Sequence, residues 1–218
     1  MPSWNIHTAH VERLLHEEGA DKLGIHDINA FLFGNFVPDI YVGYMVPNIS
    51  YRIDYKMTHL ALREHIPLPD YNAFWDFYIV GGPKPVTDLT LGVWAHLVAD
   101  HTYNKHTRAY IASIGLKPGE SVRISKQGDF ALFGRTKSIA MVPEVTDSLI
   151  DQCRHFPQYS IAQHDLRGAV EAAKHVVEVN KACHLDEQPS YTLLTPEFFE
   201  VASEEANKII VEGLESLK

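Results

Sequence analysis

Apolar positions recur at helical spacing along most of this chain. Val11, Leu14 and Leu15 fall one to four residues apart beside Trp4 and His7, which predicts a first helix over residues 4–18 with Ser3 or Thr8 at its start. Gly24 closes that segment. Asp27 then stands where a cap belongs, ahead of the apolar run INAFLFGNF. Pro38 restricts Val37 to extended backbone, so this second helix is expected to break at Val37-Pro38-Asp39. Residues 47–58 carry Pro, Asn and clustered tyrosines and are expected to form a loop. Tyr71 to Val80 predicts a short helix within a loop-rich stretch. Asp88 caps the longest pattern, a central helix reaching about Ile114 before Gly115.

The pattern changes over residues 116–138. β-Branched residues, a Gln127-Gly128-Asp129 turn signal and two further glycines predict an irregular loop or a short hairpin there. Such a segment either covers the mouth of a site or is plain surface. Helical spacing returns over about 143–154, then from Ser160 to about 179, with Ser160 and Gln163 at capping-box spacing. A last helix starts at Thr195-Pro196 and runs to about residue 217. No repeat, low-complexity run or linker divides the chain, so one all-α domain spanning residues 1–218 is expected.

The central helix carries the chemistry. Its segment DLTLGVWAHLVADHTYNKH holds His96, Asp100, His101 and His106. His96 and Asp100 are four apart, stacked on one helix face, and an imidazole with a carboxylate suits Zn²⁺ or a similar ion. His101 lies about 100° round the helix from Asp100, which disfavours it as a ligand. Elsewhere His10 shares an inward face with His7 and Leu14, as a ligand or as hydrogen-bonded core. Asp39 lies in the apolar context FLFGNFVPDIYVGYMV, either paired or metal-bound, or capping a helix over 40–45. His59, in MTHL, is a further ligand candidate, its plainer reading being the first residue of a helix. His106 completes a set of six: His10, Asp39, His59, His96, Asp100 and His106. Ligands spread over several helices suit a bundle that projects side chains into a shared core.

Composition narrows the function. With 218 residues, 45% hydrophobic and 22% charged, the chain has the balance of a soluble protein. A net charge of −9 disfavours a stable nucleic-acid partner, although metal ions can still reconcile an acidic chain with a phosphate substrate. Cys153 and Cys183 form no C-x-x-C pair, and His/Asp sets are typical of hydrolytic rather than structural zinc sites. MPSWNIHTAH has no basic segment followed by an apolar one, and no apolar run approaches the roughly 20 residues of a membrane span. A cytoplasmic location is the expectation.

The ordered set resembles the bacterial zinc-dependent phospholipase C family, relatives of the zinc-dependent single-strand nucleases. The residues that carry the likeness are an early Trp4 followed by His10, Asp39 in VPDI, His59, and the H-x3-D-x5-H spacing of His96, Asp100 and His106. The likeness covers about residues 4–106. It implies an all-α fold and a metal-dependent phosphoester hydrolase with a di- or trinuclear centre, Zn²⁺ first and Mn²⁺ or Fe²⁺ as alternatives. It also implies that Asp39, His59, His96 and Asp100 hold one ion, with Asp100 bridging. His106 would serve a second ion, and His10 with the Trp4 main chain a third. Asp39 would double as general base for the attacking water, and the substrate would be a small phosphoester or phospholipid-like molecule.

The chain departs from that pattern at four places. Trp4 is internal, leaving its carbonyl or His7 to stand in for a terminal amine. His101 follows the signature Asp, and Asn104 stands where the family has proline. No H-x3-E pair follows shortly after the signature, so His164 and Glu171, on one stripe of the 160–179 helix, are the candidates to complete the second ion's shell. An HD-type phosphohydrolase built on His26-Asp27 or His164-Asp165 is an alternative, and a non-catalytic metal-binding protein another.

Overall fold

The computed structural model describes residues 2–62 and 64–218, and among these it is all helical, with no strand. In chain order the helices are α1 (Trp4–Glu17), α2 (Ala20–Leu23), α3 (Ile28–Gly34), α4 (Val37–Ile40), α5 (Tyr55–Thr58) and α6 (Tyr71–Phe74). α6 continues as a π-helical segment over Trp75–Val80. Then follow α7 (Asp88–Ser113), α8 (Glu120–Arg135), α9 (Asp147–Arg154), α10 (Gln163–Ala182) and α11 (Pro196–Glu215).

α7 is the axis. It is buried on every side from Asp88 to Asp100, which is why it shows little amphipathic contrast: it is a core helix rather than a surface one. Thr87, not Asp88, caps it, its hydroxyl accepting from Thr90 N–H. Two close backbone approaches hold its neighbours. A Cβ on Gly34 would meet Leu89 O at 2.3 Å, and one on Gly92 would meet Phe31 O at 2.1 Å, so α3 and α7 cross at their glycines. On the opposite side Gly213 of α11 admits the Trp94 ring, which a Cβ would strike at 2.2 Å. Ala202, Ala206, Ile210 and Leu214 form the four-residue stripe by which α11 buries itself.

Several expectations needed correction. Residues 116–138 are not a loop or hairpin: α8 occupies 120–135, because Val122, Lys126, Phe130 and Phe133 fall on one stripe that is buried. Phe130 and Phe133 pack with Phe199 of α11 and, for Phe130, Tyr103 of α7. The β-branched Ile124 that suggested a strand points out to solvent. Asp129, read as a turn residue, lies inside α8 and accepts three backbone N–H groups, from Thr192, Leu193 and Leu194. The capping box at Ser160 does not form. Ile161 N–H instead donates to Cys153 O, and α10 starts at Gln163 behind Ala162. No helix among the described residues is long and apolar enough to cross a membrane.

Candidate metal centre

Four elements bring five ligand-bearing side chains together: His7 from α1, Asp39 from α4, His59 from the residue closing α5, and His96 and Asp100 from α7. Asp39 does not cap a helix over 40–45. The chain turns straight into α4 after Phe36, with Pro38 in its first turn where a missing N–H costs nothing, and Asp39 sits inside that turn. His59 ends α5 rather than starting a helix.

Neighbouring groups fix the ring tautomers. His96 Nδ1 donates to Asn35 O at 2.8 Å, a carbonyl delivered by the glycine crossing of α3 and α7. Thr58 Oγ1 donates to Tyr55 O at 3.2 Å, so it receives the Nδ1–H of His59 at 2.7 Å. In its neutral form each ring therefore presents the Nε2 lone pair, oriented by its other nitrogen as in metal-bound imidazoles. These two lone pairs face one another at 3.2 Å. His59 Nε2 also lies 3.7 Å from Asp39 Oδ1 and 3.6 Å from Asp100 Oδ2, and His96 Nε2 is 3.7 Å from Asp100 Oδ2. Tetrahedral Zn²⁺ with bonds of about 2.0–2.1 Å has ligand–ligand edges of about 3.3 Å, so His59, His96 and Asp100 could hold one ion after a small contraction, with Asp39 beside His59 as a further donor.

Asp100 has a second face. Its Oδ1 is buried, lacks a hydrogen-bond partner among the described residues, and lies 3.5 Å from His7 Nε2, which is also buried without one. With His96 these residues form a second group that could hold an ion. The His7 ring stacks on His96 at 4.0 Å between centroids, and Tyr55 stacks on His59 at 3.8 Å while its hydroxyl donates to Asp100 Oδ2 at 3.4 Å. Trp4 is present as an orienting group: its indole N–H donates to Asp39 Oδ2 at 3.1 Å, while its carbonyl accepts from Thr8.

Burial sets the protonation states. Desolvation, reinforced by His96, lowers His7 to about 3 and moves His59 well below its ordinary value, leaving both neutral as metal ligation requires. Burial raises Asp39 to about 6, against the opposing pull of His96. Burial alone would also raise Asp100, but His96, His7 and His59 outweigh it and hold this carboxylate below its ordinary range.

The remaining sequence candidates lie outside the cluster. His10 Nδ1 meets Asn207 Oδ1 at 2.6 Å and its Nε2 meets the Tyr103 hydroxyl at 3.1 Å. Trp4, His7, Val11 and Leu14 share the three-and-four stripe of α1, so His7 lines up with Trp4 towards the cluster, while His10 is buried on the neighbouring stripe. His106 is six residues past Asp100, roughly 120° round α7, and pairs with Glu205 of α11 at 2.7 Å. His164 is exposed, its Nε2 donating to Asn48 O, and among the described residues no group of three potential ligands includes it or Glu171. Of the adjacent His-Asp pairs, Asp27 caps α3 and Asp165 holds Tyr41 and Ser50. Tyr55 and Lys126 are site residues that the sequence reading passed over, since both fell in stretches expected to be loops.

A cleft of about 780 Å³ opens beside the cluster, with Asp39 and Tyr55 in its wall together with Lys126 of α8.

His10 allows a stability test independent of the cluster. Burial lowers its pKa to about 4, with Asn207 and Glu204 favouring the charged ring and Lys137 and Arg13 opposing it. The unfolded ring takes its proton near pH 6.5, and the folded ring only near 4. The stability His10 contributes by staying neutral is therefore present above about 6.5 and is lost as pH falls towards 4, by about 3 kcal/mol in full. Urea unfolding of the metal-free protein and of His10→Gln from pH 7.5 to 4 checks this. The variant's curve should be flatter, and parallel curves would show that the folded ring already carries a proton.

Compared with protein-family models, curated proteins and solved structures, the chain gives no match.

Proposed function

We propose that this protein is a metal-dependent phosphoester hydrolase, similar in its ligand order to the zinc-dependent phospholipases C. The observation that supports the reading best is the confrontation of two unprotonated imidazole nitrogens, His59 Nε2 and His96 Nε2, at 3.2 Å. Two lone pairs at that distance repel unless a proton or a metal ion lies between them. Two carboxylates beside them, Asp39 and Asp100, make the set hard and anionic, suited to Zn²⁺, Mn²⁺ or Fe²⁺. A bound divalent ion would bring the pKa of a water towards about 7 and offset phosphate charge.

The chain's own groups supply the rest. Asp39 reaches the cleft, its Oδ2 held by the Trp4 indole and its Oδ1 turned towards His59, and this carboxylate would be the general base for the attacking water. Asn35 and Thr58 keep the imidazoles in the ligating tautomer. Tyr55 closes one side of the cluster with its ring and steadies Asp100 with its hydroxyl.

Asp39→Asn tests the catalytic reading against a purely structural metal site. Turnover of bis(p-nitrophenyl) phosphate and p-nitrophenyl phosphate is expected to fall on the order of 10²- to 10⁴-fold, with the melting curve unchanged and most of the metal kept. Metal-replete wild-type protein that hydrolyses neither ester would refute the hydrolase reading.

A further inference from the structure

α8 contributes a lysine to the cleft that the centre does not explain. Lys126 is 4% exposed, yet among the described residues no carboxylate pairs with it. Its Nζ donates to Asn104 Oδ1 at 3.0 Å and lies 5.7 Å from the Phe130 ring centroid. The Asn104 amide is itself fixed, because its Nδ2 donates to Pro67 O at 2.8 Å and so turns Oδ1 towards Lys126. Asn104 is four residues past Asp100 on α7, on the same face and about 6 Å further along the axis. The ammonium is thus pinned one helical turn from the bridging carboxylate.

Of the three donors an ammonium carries, Asn104 Oδ1 takes one. On a chain of net charge −9, the cleft gathers Arg52, Lys56 and Arg123 around Lys126, against the carboxylates of Asp39, Asp54 and Glu64. Asp39 is committed to the cluster, and Arg123 pairs with Glu120 on its own helix, so Lys126 is the cation buried in the wall rather than displayed at the rim.

We propose that Lys126 is the residue that binds an oxygen of the substrate's phosphoryl group, with Asn104 as its positioning residue. The anion would be shared between the metal centre and the ammonium, whose charge-assisted hydrogen bond would offset part of the phosphoryl charge. The class of ligand is an organic phosphate ester, or the free phosphate it releases. This deepens the hydrolase reading and rests on it only for the identity of the anion.

The test titrates inorganic phosphate, by calorimetry, into dialysed metal-loaded wild-type protein and the variants Lys126→Met, Lys126→Arg and Asn104→Leu. Lys126→Met is expected to weaken phosphate binding on the order of 10- to 100-fold, the loss of one charge-assisted hydrogen bond. Metal content should be unchanged and the melting midpoint equal or higher, since a methionine suits a slot beside Phe130 better than an unpaired charge. Lys126→Arg should recover part of the affinity. Asn104→Leu, which leaves the lysine in place but unpinned, should fall between and serves if Lys126→Met fails to fold. Equal phosphate affinity in wild type and Lys126→Met, or no binding by metal-loaded wild type, overturns the proposal. Lysine-dependent phosphate binding without ester hydrolysis would leave the anion site standing and remove the hydrolase reading.

Discussion

Asp100→Asn is expected to abolish both metal retention and ester hydrolysis, with turnover lower by on the order of 10³-fold or more. Asp100 acts with both oxygens: Oδ2 completes the set of His59 and His96, and Oδ1 faces His7. An amide replaces one anionic oxygen by an N–H₂ donor, and whichever way it turns, one of the two positions loses its ligand. The substitution also removes the charge that makes the cluster attractive to a divalent cation. The histidines hold the Asp100 carboxylate below its ordinary range, so its charge also favours the fold, and the metal-free variant should melt lower than metal-free wild type while still folding. Elemental analysis of dialysed protein beside turnover measurements checks the prediction. A variant that retains one or more equivalents of metal would show that the centre is not built on Asp100. Its effect should exceed that of Asp39→Asn, because Asp39 contributes to one position only.

The difference between these two carboxylates bears on what the sequence could reveal. His96 and Asp100 are local: four residues apart on a helix, they must share a face, and the structure keeps them there. The start of the last helix is equally local, since Thr195 caps it with its hydroxyl accepting from Phe198 N–H, one residue before Pro196 opens the first turn. The position of His106 depends on tertiary information. Spacing allowed it to approach the site, and Glu205 of α11, 99 positions away in sequence, decides where its ring points. α8 failed differently. Gly128 and the β-branched residues weigh against a helix locally, and the aromatic contacts of Phe130 and Phe133 with α11 outweigh them. That misreading also hid Lys126, which cannot be seen as a site residue until α8 is wound and laid against Asn104. The partners that orient the histidines, Asn35 O and Thr58 Oγ1, are a backbone carbonyl and a flanking hydroxyl, neither of which a ligand pattern marks.

Saturation with Zn²⁺ is expected to raise the midpoint of thermal unfolding by about 8–16 °C. The figure follows from binding linkage: free ion at a thousand times its dissociation constant stabilises by about 4 kcal/mol, and each kcal/mol moves a domain of this size by about 2–4 °C. The structural reason is that the metal-free core carries polar atoms it cannot satisfy. Both nitrogens of His7 and Asp100 Oδ1 are buried without hydrogen-bond partners among the described residues, and two imidazole lone pairs oppose each other. An ion between them turns repulsion into ligation, and the unfolded chain has no preformed shell with which to compete. A chelator should reverse the shift. His59→Ala should lose most of it, whereas His106→Ala should keep it, because His106 is occupied with Glu205 and outside the cluster. If His106→Ala lost the shift while His59→Ala kept it, the ion would sit at the outer end of α7 and not at Asp100. Absence of any shift in wild-type protein would mean that the buried cluster is satisfied without metal.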